Sequence, residues 1–198
     1  ASAELEQEIC DAIADHGRCV IGLSGGSTPG PIYEALGSLV AIEWSKVSLF
    51  LVDERYVPVD HEESNQNLIR ETLLARAPVP EVNCVFPDTS LPIDDCREEY
   101  ERRLMMLFDG DPADIVTLGL GEDGHIASLF PGDIDALLEG ERLVLHTMTD
   151  QFSVHDRITV TMPVLAGARQ QFVFLRGATK KEIFGKVMGE NSDIIEYP

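Results

Sequence analysis

Asp123 and His125 stand two residues apart in the run Gly119-Leu120-Gly121-Glu122-Asp123-Gly124-His125. An imidazole changes charge near neutral pH and is the side chain most often used for proton transfer. A carboxylate beside it can orient the ring and stabilise its charged form. Two further stretches carry groups suited to an anion. Ser24-Gly25-Gly26-Ser27-Thr28-Pro29 opens an apolar-periodic segment. A Gly/Ser/Thr loop entering a helix offers free N–H groups, hydroxyl donors and the positive end of a dipole, a combination that suits phosphate. The same residues also make an ordinary tight turn between strand and helix. In Asp53-Glu54-Arg55-Tyr56-Val57-Pro58, the planar fork of Arg55 matches phosphate oxygens, or pairs only with its acidic neighbours.

These groups must be held by elements whose pattern is readable. Ile115 to Leu118 has the β-branched, apolar content of a buried strand, and the glycines after it permit a bend that other residues resist. Arg18–Leu23 and Val47–Val52 read as further buried strands, the latter nearly all apolar, as in a central parallel strand. Both end at the candidate residues, and ligands of open α/β sheets bind beyond the carboxyl ends of strands. Leu5, Ile9, Ala12 and Ile13 predict an amphipathic helix ending at Gly17. Thr28 is expected to cap the next helix with Pro29 at its first position. Ser64 is expected to cap a helix over 65–77, and another helix is expected over 94–108, with Met105 and Met106 in the core. Short strands are expected near 82–86, 143–146, 157–162 and 171–176, with a helix at 134–138, a helical turn at Pro163 and a final helix over 179–188. Strands alternating with helices predict a single α/β domain over 1–198 with a mainly parallel sheet and right-handed crossovers.

Composition narrows the partners. The 198 residues carry 35 acidic against 15 basic side chains, a formal charge of −20. That field repels nucleic acid and anionic membrane, so neither is expected as a partner. An anionic substrate would need a local positive patch, which makes each basic residue worth following. Cys10, Cys19, Cys84 and Cys96 lack metal-ligand spacing and are read as reduced thiols. No apolar run approaches the ~20 residues that span a bilayer, and no secretory leader is visible after the initial Ala1, so a cytoplasmic location is expected. His61-Glu62-Glu63 has Asn65 where a second zinc-binding His would stand, and no metal is expected.

Two generic fingerprints match literally. Gly22-Leu23-Ser24-Gly25-Gly26 fits the G-x-S-x-G nucleophile elbow, but only one strand precedes it and the helix begins too late. Gly119 to Gly124 fits G-x-G-x-x-G, yet Glu122 and Asp123 would face a pyrophosphate and Pro131 cuts short any following helix. Taken together, S-G-G-S-T-P at 24–29, D-E-R-Y-V-P at 53–58 with Glu63-Ser64-Asn65, and G-L-G-E-D-G-H-I-A-S-L-F-P-G at 119–132 resemble the 6-phosphogluconolactonase family. Arg157-Ile158-Thr159 and Gly177-Ala178-Thr179-Lys180 add weaker matches, and the resemblance spans roughly 20–186.

The resemblance implies a Rossmann-like α/β fold shared with glucosamine-6-phosphate deaminases and ribose-5-phosphate isomerases. It also implies hydrolysis of 6-phospho-D-glucono-1,5-lactone in the pentose phosphate pathway, without a cofactor. The related deaminases carry D-G-H-I-A-F-N-E-P, and Phe130 stands here where they have an acid, which favours the lactonase. The family usually begins one strand earlier and continues further, so the chain starts and stops inside that pattern, with an edge strand either cropped or lost. By this resemblance His125 acts as general base and then acid, Asp123 orients it, and Asp53 binds sugar hydroxyls. Gly25, Gly26, Ser27, Thr28, Arg55, Arg157 and Lys180 would hold the phosphate. A phosphorylated sugar lactone is the expected partner, with the chain a monomer or weak homo-oligomer. A sugar-phosphate isomerase or deaminase, and a non-catalytic sugar-phosphate sensor, are the alternatives.

Overall fold

The computed structural model describes residues 1–189 and Tyr197. Among the described residues eight strands follow one another: β1 (Cys19–Leu23), β2 (Val47–Leu51), β3 (Asp53–Arg55), β4 (Cys84–Val85), β5 (Ile115–Gly119), β6 (Val144–Met148), β7 (Asp156–Val160) and β8 (Gln170–Phe174). The α-helices among these residues are α1 (Ser2–His16), α2 (Gly30–Gly37), α3 (Asn65–Glu71), α4 (Ile93–Phe108), α5 (Ile134–Leu137), α6 (Met162–Gly167) and α7 (Ala178–Val187). Five strands form a parallel sheet in the order β4-β2-β1-β5-β8. The expected α/β architecture is present.

Because successive strand residues point to opposite faces, β1 and β2 feed two cores. Ile21, Leu23, Leu49 and Leu51 join Leu5, Ile9, Tyr33, Leu36 and Ile69 on the side of α1, α2 and α3. Val20 and Phe50 join Tyr100, Leu104, Val116, Ile158 and Val160 on the other side. This explains why the strands read as continuous apolar runs: both faces are covered.

The second cover was not expected. β3, β7 and β6 form a separate antiparallel sheet in the order β3-β7-β6. The chain passes between the sheets at Val52. Its N–H donates to Leu23 O at 3.0 Å, and its carbonyl accepts from Val160 N at 2.9 Å. An apolar run can announce a strand, but the direction of its partner depends on where the rest of the chain lies.

The ends of the helices repay comparison with the expectations. Gly17, in the left-handed region at φ 84°, closes α1 with its N–H on Ile13 O, and Ser64 caps α3 by accepting from Asn67 N at 3.1 Å. Thr28 does not cap α2. Pro29 occupies the cap, and its carbonyl accepts from Ile32 and Tyr33. Pro31 has no N–H to satisfy, so the first turn needs little side-chain help. α3 stops at Glu71 instead of running to Ala77, and Thr72 turns its hydroxyl onto Leu68 O, a competition with helix continuation. On α4 the buried stripe is Cys96, Tyr100, Leu104 and Phe108, one residue every four. Met105 and Met106 fall outside it and are 62% and 67% exposed, contrary to the core placement expected for them. All four cysteines are unpaired. Among the described residues, no helix is long and apolar enough to cross a membrane.

Candidate active site

Beyond β5 the chain folds into a tight loop held by Gly121 N–H on His125 O (2.8 Å) and Gly124 N–H on Gly121 O (3.2 Å). This brings Asp123 Oδ1 to 2.5 Å from His125 Nδ1. The same oxygen accepts from the His125 backbone N–H at 3.3 Å. A Cβ on Gly121 would stand 2.2 Å from His125 Nδ1 and 2.4 Å from Asp123 Oδ1, so only glycine allows the pair to close over the loop. Burial pushes the Asp123 carboxyl up, but its hydrogen bond and charge interaction with His125 outweigh this and hold it below the usual carboxylate value. An ionised Asp123 can only accept, so the shared proton sits on Nδ1 and leaves the Nε2 lone pair available to take one. The ring is packed by Phe130 and Phe152, with centroids at 5.1 and 5.5 Å.

Asp53 comes from the first residue of β3, just past the point where the chain leaves the parallel sheet. It is 6% exposed, and its carboxylate is pinned from two directions. Ser128 Oγ donates to Oδ2 at 2.7 Å, and Asn65 Nδ2 donates to the Asp53 carbonyl at 2.9 Å and to Oδ1 at 3.3 Å. Asn65 is itself wedged against the phosphate-type loop, where a Cβ on Gly25 would collide with its side chain at 1.7 Å. Glu54, pointing the other way, is 1% exposed. It accepts from the backbone N–H groups of Arg55, Asn65 and Gln66, each at 2.7 Å, and from Ser64 Oγ at 3.1 Å. Burial pushes its carboxyl up to about 7, against the pull of those donors. Glu54 thus anchors the start of α3, and through it Asn65.

Arg55 and Arg157 lie directly opposite each other in the β3–β7 pair. Like charges so placed repel, and both are tied to carbonyls: Arg55 Nη1 to Glu63 O at 2.7 Å and Arg157 Nε to Val154 O at 3.1 Å. Arg157 is 5% exposed. Burial first, and then the charge of Arg55, lowers its pKa. In a chain of net charge −20 this is a deliberate concentration of positive charge, and a dianion placed between the two guanidiniums would relieve it.

His125, Asp123, Asp53, Asn65, Arg55 and Arg157 surround one cleft of ≈700 Å³ at the carboxyl ends of β1, β2 and β5, lined also by Gly25, Gly26, Ser27 and Lys180. Of the residues singled out from the sequence, His125, Asp123, Asp53, Gly25, Gly26, Ser27, Arg55, Arg157 and Lys180 converge there; Thr28 is not among the lining residues. Three buried polar atoms of lining residues have no partner among the described residues: Ser24 Oγ, Arg55 Nε and Asp123 Oδ2. Buried polar groups are nearly always paired, and these three exceptions belong to residues that line the same cleft. Among the described residues no cluster of three or more His, Cys, Asp or Glu side chains could hold a metal ion. Sequence reasoning did not single out Asn65, Ser128 or Phe152 as site residues. Asn65 and Ser128 sat inside the quoted motifs, but nothing local signals that their side chains meet Asp53.

The glucosamine-6-phosphate isomerases/6-phosphogluconolactonase family model matches residues 1–198. A probable 6-phosphogluconolactonase of Dictyostelium discoideum is 39% identical, covering 98% of this chain and 84% of the relative. The 6-phosphogluconolactonase of Synechocystis sp. is also 39% identical, over 96% of this chain and 80% of its own. The crystal structure of 6-phosphogluconolactonase from Thermotoga maritima superposes with a TM-score of 0.88 at 32% identity, covering 94% of this chain and 83% of that one. The sheet order, the loops at its carboxyl edge and these similarities agree, and the chain belongs to the glucosamine-6-phosphate isomerase/6-phosphogluconolactonase family.

Proposed function

We propose that the chain hydrolyses 6-phospho-D-glucono-1,5-lactone to 6-phosphogluconate, with His125 as the general base. The observation that carries this reading is the pairing, in one cleft, of a carboxylate-oriented imidazole with two opposed arginines. Such a site fits a substrate with a phosphate at one end and a reacting carbonyl at the other. Arg55, Arg157 and Lys180 would take the phosphate, with the Gly25–Ser27 loop adding N–H and hydroxyl donors. Asp53, oriented by Ser128 and Asn65, would accept from sugar hydroxyls.

In the reaction a water oxygen bonds to the lactone carbonyl carbon while Nε2 of His125 takes a water proton. The imidazolium is stabilised by Asp123 through Nδ1–H. The carbonyl π pair moves to oxygen, giving a tetrahedral oxyanion, for which the Gly121–Gly124 backbone offers donors. When the carbonyl re-forms, the bond to the ring oxygen breaks and His125 returns its proton to that oxygen as the leaving hydroxyl. The new carboxylic acid ionises in solution. Atoms and charge balance without a cofactor.

The test is the rate of hydrolysis of freshly generated 6-phosphogluconolactone at neutral pH, with the unaided opening subtracted. Removing a general base typically lowers the rate by about 10²–10⁴-fold, and that loss is expected in His125→Ala. Turnover that survives the substitution would move the base elsewhere. A wild-type chain with no turnover above background would end the lactonase reading.

A further inference from the structure

The seven-residue connection between β6 and β7, residues 149–155, borders the cleft through Gln151 and Phe152. Its ends are joined by Thr149 N–H on His155 O at 3.1 Å, and Gln151 N–H bonds Thr149 Oγ1 at 3.2 Å. Two outside ties hold it down. Ser153 Oγ donates to the Glu63 carboxylate, at 2.9 and 3.0 Å to its two oxygens, and Arg157 Nε donates to Val154 O. Glu63 is also the residue whose carbonyl holds Arg55. The loop is therefore fastened to both arginines of the cation pair, directly on one side and through Glu63 on the other.

Phe152 stands between these ties. It is 40% exposed, so core burial does not account for it, yet its ring makes specific contacts. Its centroid is 5.5 Å from the His125 ring at an interplanar angle of 76° and 6.3 Å from that of Phe130. The guanidinium carbon of Arg157 lies 5.6 Å from the same centroid. One ring thus touches the imidazole and one of the two arginines, and it lines the cleft that both face.

We propose that Phe152 is a specificity-determining residue: its ring is the wall that sets the span between the phosphate-holding arginines and His125, so that a phosphorylated lactone has its carbonyl carbon presented to the base. This rests on the lactonase reading above. A sugar ring carries apolar C–H faces that an aromatic surface can cover, and a rigid two-torsion side chain does so with little entropy loss. The arginines supply binding that is equal in ground and transition states, whereas the wall acts on alignment of the reacting carbon. Its loss should therefore appear in kcat more than in KM. An unphosphorylated lactone, unanchored at the far end, has no span to be set.

Steady-state kinetics of the full chain test this, with 6-phosphogluconolactone and unphosphorylated gluconolactone as substrates. With the phosphorylated lactone, Phe152→Ala is expected to lower kcat by about 10-fold or more, on the scale of pocket-contact losses, with KM within about threefold. With gluconolactone the same substitution should change kcat by less than about threefold, and Phe152→Tyr should keep the wild-type preference. If Phe152→Ala fails to fold, Phe152→Leu carries the test with the same pattern at smaller amplitude. Equal losses on both substrates, a rise in KM alone, or an indifferent Phe152→Ala in an active background would overturn the inference while leaving the lactonase standing. Absence of wild-type turnover on either lactone would overturn both.

Discussion

The parallel sheet opens at both ends, and each opening holds a histidine–aspartate pair. At the carboxyl end, Asp123 meets His125 at 2.5 Å in the ≈700 Å³ cleft. At the amino end, Asp114 meets His16 at 2.9 Å in a groove of ≈510 Å³ between α1 and the starts of β5 and β8. The residue types are the same, and the hydrogen-bond accounts differ. One Asp114 oxygen accepts from Val20 N–H at 2.7 Å, and the other makes ion-pair contacts with His16 Nε2 and, at 3.4 Å, with Arg169 Nε. Its pair fastens α1 and the edge of the sheet to β1. Asp123 Oδ2 is buried without a partner among the described residues, as are Ser24 Oγ and Arg55 Nε of residues lining the same cleft. The amino-end pair ties elements of the fold together. The carboxyl-end pair lies in a cleft that also holds two opposed arginines.

The largest effect that would sharpen this contrast is expected from Gly121→Ala. The new Cβ would occupy the space of His125 Nδ1, and displacement of a catalytic group by about 1 Å can reduce the rate about 10²-fold. Replacing His16 by Ala at the other end should leave kcat unchanged, and steady-state kinetics of the two variants side by side would break the comparison if both fell. Next comes Arg157→Ala. Loss of a charge-assisted contact worth roughly 1.5–3 kcal/mol should lower kcat/KM for the phosphorylated lactone by about 10- to 100-fold, and by much less for unphosphorylated gluconolactone.

A smaller and different effect is expected from Asp114→Ala. It strands the buried Val20 N–H, which should reduce stability by about 1–3 kcal/mol. In a chain of this size that is a drop in melting temperature of about 2–4 °C per kcal/mol, with kcat of the folded protein unaltered. A fall in kcat at constant stability would show that the amino-end pair communicates with the cleft. The smallest effect concerns Glu54. Its carboxyl is raised by burial from 4.5 to about 7, so the folded state binds the extra proton between those values. Its contribution to stability is therefore complete below about pH 4.5 and is lost as pH rises through about 7. Denaturant unfolding of Glu54→Gln across that window should show a flatter slope than the wild type; an unchanged slope would mean that the four donors around Glu54 keep it ionised throughout.

Much of the site was legible because it is local. The Asp123–Gly124–His125 spacing, the glycines that let the pair close and the Ser64 cap all act within a few residues, where backbone geometry follows directly from residue type. The buried strands were legible because both faces of β1, β2 and β5 are covered, which leaves an unbroken apolar run. The errors have the same origin in reverse. Thr28 failed as a cap because two prolines already remove or satisfy the donors of that turn. Met105 and Met106 were misplaced because an apolar cluster does not say which stripe of α4 faces inward. The strands β6 and β7 were legible, but β3 has only three residues, and the antiparallel pairing of the three was not readable because their mutual direction is set by packing over the second core.

By itself the sequence determined the α/β alternation, the local His–Asp pair, the loop at 24–27 and the need for a positive patch against a charge of −20. Only the tertiary structure decided how that patch is made. Arg55 and Arg157 become neighbours because β3 and β7 pair antiparallel, and Asp53 is aimed because Ser128 and Asn65 arrive from separate loops. Phe152 meets His125 because a distant hairpin is tied down through Glu63. Residue type and short spacing fix what neighbours along the chain can do. Contacts between distant segments exist only once the apolar faces of two sheets have been buried against one another, and no local pattern encodes them.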